Sequence, residues 1–351
     1  MLARIIKAKE LIVTLYDHIL GGLYGQALGD AWCMPALLTP NQTWERYGGW
    51  LGRFYPGADD HPVHAGLPPG RITDDTEQAF TLAEAMLEDG GVTIEGAVRA
   101  LLRWYDQVGG ESCPYIGPST RRAVSQLRSG ADPRVSGLHG DTNGAAMRVS
   151  VVGLIHPGDL AGAVRDAALQ ATPTHNTDVA MSGAAAVAGA VATAMRPGVA
   201  LDEVLRAGVE AAELGRRLGP IYMGASVARR IELAIEIAHR PDEPRVRIQE
   251  LYDIVGSTLA ISESVPAAFG VLAMAGGDPL QTAIYAAALA GDADTVGAMA
   301  CAIAGAWRGI DAFPADVLAT LRSANSELDF EATARRLTDL AERAHNSLSD
   351  H

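Results

Sequence analysis

The sequence predicts an all-α protein, and three observations carry that expectation. Of its 351 residues, 48% are hydrophobic but only 5% aromatic, with Ala supplying much of the apolar content. Ala-rich stripes let helices approach closely. Apolar residues recur at three- and four-residue spacing in segment after segment. Pro and Gly are spread along the chain, with no linker, repeat or low-complexity tract, so residues 1–351 read as one compact domain although the length could hold more.

Charge and cysteines bound the function classes. The net charge is −14, and basic pairs such as Arg121-Arg122 and Arg229-Arg230 are isolated, which argues against a nucleic-acid duplex as partner. Cys33, Cys113 and Cys301 are an odd number without CxxC spacing, as in free thiols of a reducing compartment. Residues 1–10 carry charges where a signal peptide needs an apolar run. Val179–Met195 is uncharged but Ala/Gly-rich and slightly short for a span, so it reads as a buried helix. A cytoplasmic protein with no membrane partner is expected; the sequence assigns no oligomeric state.

In chain order, a first helix is expected from about Glu10 through Leu15 and Ile19 to Asp30. Gly21, Gly25 and Gly29 recur every fourth residue and bare one helix face for close approach of another helix. Prolines and glycines from Pro35 to Gly70 predict a long irregular region of the kind that forms lids or binding loops. Asp59, Asp60, His61 and His64 inside it read as solvated loop residues. The region ends in Thr73-Asp74-Asp75-Thr76. Ala79, Leu82, Ala83 and Met86 follow at helical spacing, so Thr73 or Asp74 should cap a helix with Asp75 in its first turn.

Helices are expected at Thr76–Glu88, at Thr93–Tyr105 and from Ser119 through Leu127. Tyr115 and Ile116 fall on the loop before the last of these, where an aromatic side chain can stack on a base or cover the core. In Asn143-Gly144-Ala145-Ala146-Met147-Arg148, Asn-Gly favours a turn opening a helix. Such a turn can hold phosphate, with Arg148 adding charge. His175 precedes the Ala-rich helix, whose N-terminus should lower its pKa. Further helices are expected at Leu201–Leu218, Met223–His239, Ile248–Ile254, Ala315–Ser323 and Phe330–Ala344, and Pro266 should begin or kink another.

A second acidic cluster, Asp292-Ala293-Asp294-Thr295, opens the stripe Val296, Met299, Ala300, Ile303, Ala304 and Trp307. Either cluster alone is an ordinary helix start. Together Thr73, Asp74, Asp75, Asp292, Asp294 and Thr295 offer four carboxylates and two hydroxyls, hard ligands suited to Mg²⁺, Mn²⁺ or Ca²⁺ and poorly to zinc. Two ions sharing the central carboxylates would offset their mutual repulsion.

Six elements in order resemble the ADP-ribosylglycohydrolase family: Gly22–Asp30, Gly70–Thr76, Asn143–Arg148, Thr174-His175, Glu263–Ala268 and Gly291–Thr295. The resemblance covers roughly Ile19 to Gly309. It implies an orthogonal helical globule holding two Mg²⁺ or Mn²⁺ ions between the acidic helix starts. Thr73, Asp74 and Asp75 match one ligand motif and Asp292, Asp294 and Thr295 the other. It also implies that Asn143, Gly144, Met147, Arg148 and His175 surround the phosphates and ribose of ADP-ribose, with the loop carrying Tyr115 and Gly117 near adenine.

The reaction so implied is metal-dependent cleavage of the glycosidic bond of an ADP-ribosylated acceptor. Asp74, Asp75 and Asp294 would stabilise oxocarbenium character and hold the attacking water. One departure stands out: where the family's pattern carries a glutamate that approaches the metals, this chain has Leu37. Glu45, Asp59 or Asp60 are candidates to replace it. The change motivates an alternative substrate, a nucleoside or other small N-riboside. A catalytically idle, crystallin-like binding protein is the third reading.

Overall fold

A computed structural model describes residues 13–113 and 115–349, and within them the regular elements are all helical. The charged 1–10 segment and the expected helix start near Glu10 lie outside the described residues. Helix α1 (Leu15–Cys33) begins at a capping box in which Thr14 and Asp17 bond to each other's backbone N–H. Every residue from Ile19 to Cys33 is buried, so α1 is the central rod.

The region expected to be irregular contains a helix, α2 (Pro40–Tyr47), with Thr39 as N-cap and Pro40 at its first position. The density of prolines concealed it. Then come α3 (Asp74–Asp89), α4 (Ile94–Gln107) and α5 (Pro118–Arg128), each within a few residues of expectation. Four short or mid-length helices follow: α6 (Pro133–Ser136), α7 (Gly144–Met147), α8 (Ser150–Leu154) and α9 (Leu160–Ala171). The Ala-rich segment is α10 (Asp178–Ala194), and all of its residues are buried.

The second half contains α11 (Leu201–Arg216), α12 (Val227–Ala238), α13 (Pro244–Glu250), α14 (Ile261–Met274), α15 (Pro279–Leu289), α16 (Ala293–Arg308), α17 (Ala315–Ala324) and α18 (Phe330–Ser349). Pro266 sits inside α14, near its start. The sequence reading did not anticipate α9 or α15. The main hydrophobic core runs from Ile19 to Ala341, with smaller clusters around Trp104 and around Ala185, and Phe330 of α18 stacks on Tyr24 of α1 with centroids 4.4 Å apart.

The packing that positions the site is the seam between α1 and α16. A Cβ built at Gly21 would lie 2.4 Å from the Gly305 carbonyl oxygen, one at Gly25 2.0 Å from that of Cys301, and one at Gly29 1.9 Å from that of Gly297. From the other side, a Cβ at Gly305 would reach 2.0 Å from the Gly21 oxygen. Backbone therefore rests on backbone, as the fourfold glycine spacing predicts. Asp30 in the last turns of α1 is thereby brought to the first turn of α16. No described helix is long and apolar enough to cross a membrane, and the three cysteines are buried and unpaired.

Candidate active site

The two acidic helix starts meet at one cavity of about 250 Å³. Asp74 and Asp75 come from α3, and Asp292, Asp294 and Thr295 from the start of α16. Asn143, Gly144 and Met147 form another wall, and Tyr115, Ile116, Gly117 and Pro118 a third. At the rim stand Leu38, Val63 and Leu259, each roughly half exposed.

Thr73 is the N-cap of α3, but its side chain does not cap. The cap comes from α1: the Asp30 carboxylate accepts both the N–H and the hydroxyl of Thr73 (3.0 and 2.9 Å) and of Thr76 (3.2 and 2.6 Å). A fully buried carboxylate at a helix N-terminus satisfies orphan donors and faces the positive end of the dipole. The Thr73 hydroxyl also lies 3.2 Å from Asp75 Oδ2, while Asp75 Oδ1 is buried without a partner.

The approach to Asp292 is strained. Ala290 has φ 63° and ψ −162°, a region that non-glycine residues avoid, and Gly291 follows at φ 71°. Two backbone bonds hold this turn: Gly291 N–H donates to Leu37 O (3.0 Å) and Asp292 N–H to Ser257 O (2.7 Å). The Asp292 carboxylate accepts from Asn143 Nδ2 at 2.5 Å, and the same amide nitrogen reaches Ser264 Oγ at 3.1 Å.

Electrostatics follow from crowding. Burial, reinforced by Asp294 and neighbouring carboxylates, holds Asp74 and Asp75 well above the usual carboxylate range. Burial pushes both Asp30 and Asp292 up to about 7. Asp294 is the exception. Burial would raise it too, but the bond and charge of His64 bring it below the ordinary value. The same pairing raises the His64 imidazole despite burial.

His64 therefore corrects the expectation of a solvated loop. It is 6% exposed, lines the cavity, and its Nε2 lies 2.7 Å from Asp294 Oδ2. His61 is buried as well. Glu45, Asp59 and Asp60 are exposed and do not line the cavity; Asp60 pairs with Arg46 instead. Asp30, Thr76 and His64 had no assigned role in the sequence reading. Asp30 left a signal at the end of the glycine-spaced helix, and Thr76 as the last residue of the first acidic cluster.

The structure also separates residues that the sequence reading grouped. Arg148 is buried behind the wall, where it donates to Gln170, Gln78, Gly144 O and Thr174. Burial lowers its pKa to about 10. His175 is fully buried, with Nε2 on Thr142 Oγ1 (2.9 Å) and Nδ1 on Thr174 Oγ1 (2.6 Å). Burial, with the charges of Arg148 and Arg122, holds it well below 6.5. Neither Arg148 nor His175 lines the cavity, whereas Tyr115, Gly117, Asn143, Gly144 and Met147 do.

The donors suit a hard cation. Four carboxylates crowded on one floor repel one another, and a buried oxygen without a partner, Asp75 Oδ1, has capacity to spare. Among the described residues no three His, Cys, Asp or Glu side chains already form a group that could hold an ion. Mg²⁺ requires less, because it commonly takes one or two carboxylates and keeps its waters.

The ADP-ribosylglycohydrolase family profile matches residues 12–348. The chain belongs to the ADP-ribosylglycohydrolase family. Its members are glycosidic-bond hydrolases, and this chain is an enzyme of that class. It is 35% identical over 323 residues to the uncharacterized protein YegU of Escherichia coli K12, covering 92% of this chain and 96% of that one. It is 27% identical over 310 residues to the ADP-ribosylarginine hydrolase Tri1 of Pseudomonas putida, covering 85% and 72%. A solved structure titled ADP-ribosylglycohydrolase-related protein complex superposes with a TM-score of 0.67 at 26% identity, covering 93% of this chain and 99% of the other. The all-helical architecture agrees with that ADP-ribosylglycohydrolase fold.

Proposed function

We propose that this ADP-ribosylglycohydrolase cleaves the bond between ribosyl C1 and an acceptor, with an ADP-ribosylated acceptor as substrate and two Mg²⁺ or Mn²⁺ ions as cofactors. The convergence of Asp74, Asp75, Asp292 and Asp294 on one cavity floor carries the reading. Thr73, Asp74, Asp75, Asp292, Asp294 and Thr295 would hold the ions. When bound, such cations supply positive charge that orients ribose hydroxyls and acidifies water.

The chain's own groups do the rest. Departure of the acceptor leaves oxocarbenium character at C1, and carboxylates on the cavity floor stabilise it electrostatically. Asp74 or Asp75, on the cavity floor, would take the proton of the attacking water and pass it to the departing acceptor, so that water adds across the broken C1 bond. Asn143 fixes Asp292, and Tyr115 with Ile116 offers an apolar wall to the rest of the substrate.

A specific observation favours a second reading, a smaller riboside such as a nucleoside. None of the described lining residues is Lys or Arg, and Arg148 is committed behind the wall. The cavity's 250 Å³ is also smaller than the roughly 300–1,000 Å³ common for drug-sized ligands. Calorimetric titration of ADP-ribose, a nucleoside and ribose into Mn²⁺-loaded protein, with an EDTA control, separates the two. Preferential, metal-dependent ADP-ribose binding supports the first reading, and nucleoside binding alone moves the assignment to the second. Asp74→Asn and Asp294→Asn should each abolish metal-dependent hydrolysis; full activity in both would refute the site.

A further inference from the structure

His64 is built into the site from the loop between α2 and α3. Gly57 N–H donates to Leu67 O (2.9 Å) and Gly66 N–H to Gly57 O (3.1 Å), closing the loop at its base. Gly57 is required there: a Cβ would lie 1.8 Å from the His64 carbonyl oxygen.

Inside the loop, His61 is a brace. Its Nδ1 accepts from the N–H groups of Val63 (3.2 Å) and His64 (2.9 Å), which leaves the proton on Nε2 to donate to Ala36 O at 2.7 Å. The two imidazoles stack with centroids 5.2 Å apart. His64 is thus fixed by its backbone, its neighbouring ring and its burial. Its Nε2 bonds to Asp294 Oδ2, while Asp294 Oδ1 accepts the Thr295 N–H at 3.0 Å.

We propose that His64 is a positioning residue for Asp294: its hydrogen bond sets the rotation of a carboxylate that ligates a divalent cation. This rests on the metal-dependent reading above. Carboxylate ligands are themselves held by hydrogen bonds, and loss of such a partner typically costs 10–100-fold in metal affinity. Without the imidazole, Asp294 Oδ2 loses the partner that fixes it, and only the Thr295 N–H bond to Oδ1 remains.

The test is direct binding of Mn²⁺ to EDTA-treated, full-length protein, with free Mn²⁺ counted by electron paramagnetic resonance. His64→Ala should weaken binding about 10–100-fold. His64→Gln, which keeps an N–H donor, should recover most of the loss, and His64→Met, similar in length without a donor, should not. A fold defect would affect Gln and Met variants alike, so this pair carries the test even where the alanine variant fails to fold. Wild-type affinity in His64→Ala, or equal affinities in the Gln and Met variants, overturns the inference alone. No Mn²⁺ binding by the wild type overturns the metal-dependent reading with it.

Discussion

Replacing Asp292 by asparagine should stabilise the metal-free protein and abolish its stabilisation by metal. Burial raises the Asp292 pKa from 3.8 to about 7. Between those values the folded state holds a proton that the unfolded state has released, so stability falls as pH rises through the window. The full shift is worth about 4 kcal/mol by pH 8, of which about 3 kcal/mol is lost between pH 5 and pH 8. The asparagine side chain has no proton to lose, and its amide oxygen can still accept from Asn143 Nδ2.

In EDTA, Asp292→Asn should therefore gain on the wild type by about 3 kcal/mol from pH 5 to pH 8. For a chain of this length that is about 4 °C in melting temperature. With saturating Mn²⁺ at pH 8 the order should reverse, because an ion bound only by the native state stabilises it. Differential scanning calorimetry at both pH values, with EDTA and with Mn²⁺, reads both effects. A variant that loses ground to the wild type in EDTA as pH rises would refute the argument that crowding of carboxylates strains this site.

Asp30→Ala removes the acceptor for four donors of Thr73 and Thr76, so urea unfolding should show a loss of at least about 3 kcal/mol, accompanied by weakened Mn²⁺ binding. Gly29→Ala drives a methyl into the Gly297 carbonyl and should cost about 3 kcal/mol in the same assay. Gly52→Ala, with open space at its Cβ, is the control and should stay within about 0.5 kcal/mol.

Periodicity and glycine spacing made most of the long helices and the close-approach face of α1 readable in the sequence, because both are repeats along one chain segment; that α16 is the helix packed there was not. The two acidic clusters were readable for a similar reason: each announces a helix start. What escaped depends on contacts between distant segments. Asp30 caps α3 across 43 residues, and His64 meets Asp294 across 230. Spacing carries no trace of such pairings. Arg148 was visible as a charge beside a turn, but its commitment to Gln170, Gln78 and Thr174 comes from α3 and the end of α9 folding over it.

The glycine seam also bears on how this enzyme can diverge. At Gly29 and Gly297 every replacement is larger and meets backbone, which has no alternative rotamer to retreat into. Mutational drift along the seam thus runs in one direction, toward loss, and the cavity floor it aligns is held nearly constant. The exposed apolar rim at Leu38, Val63 and Leu259 is under no such constraint. New substrates can therefore be acquired by changing the mouth while the floor stays as it is.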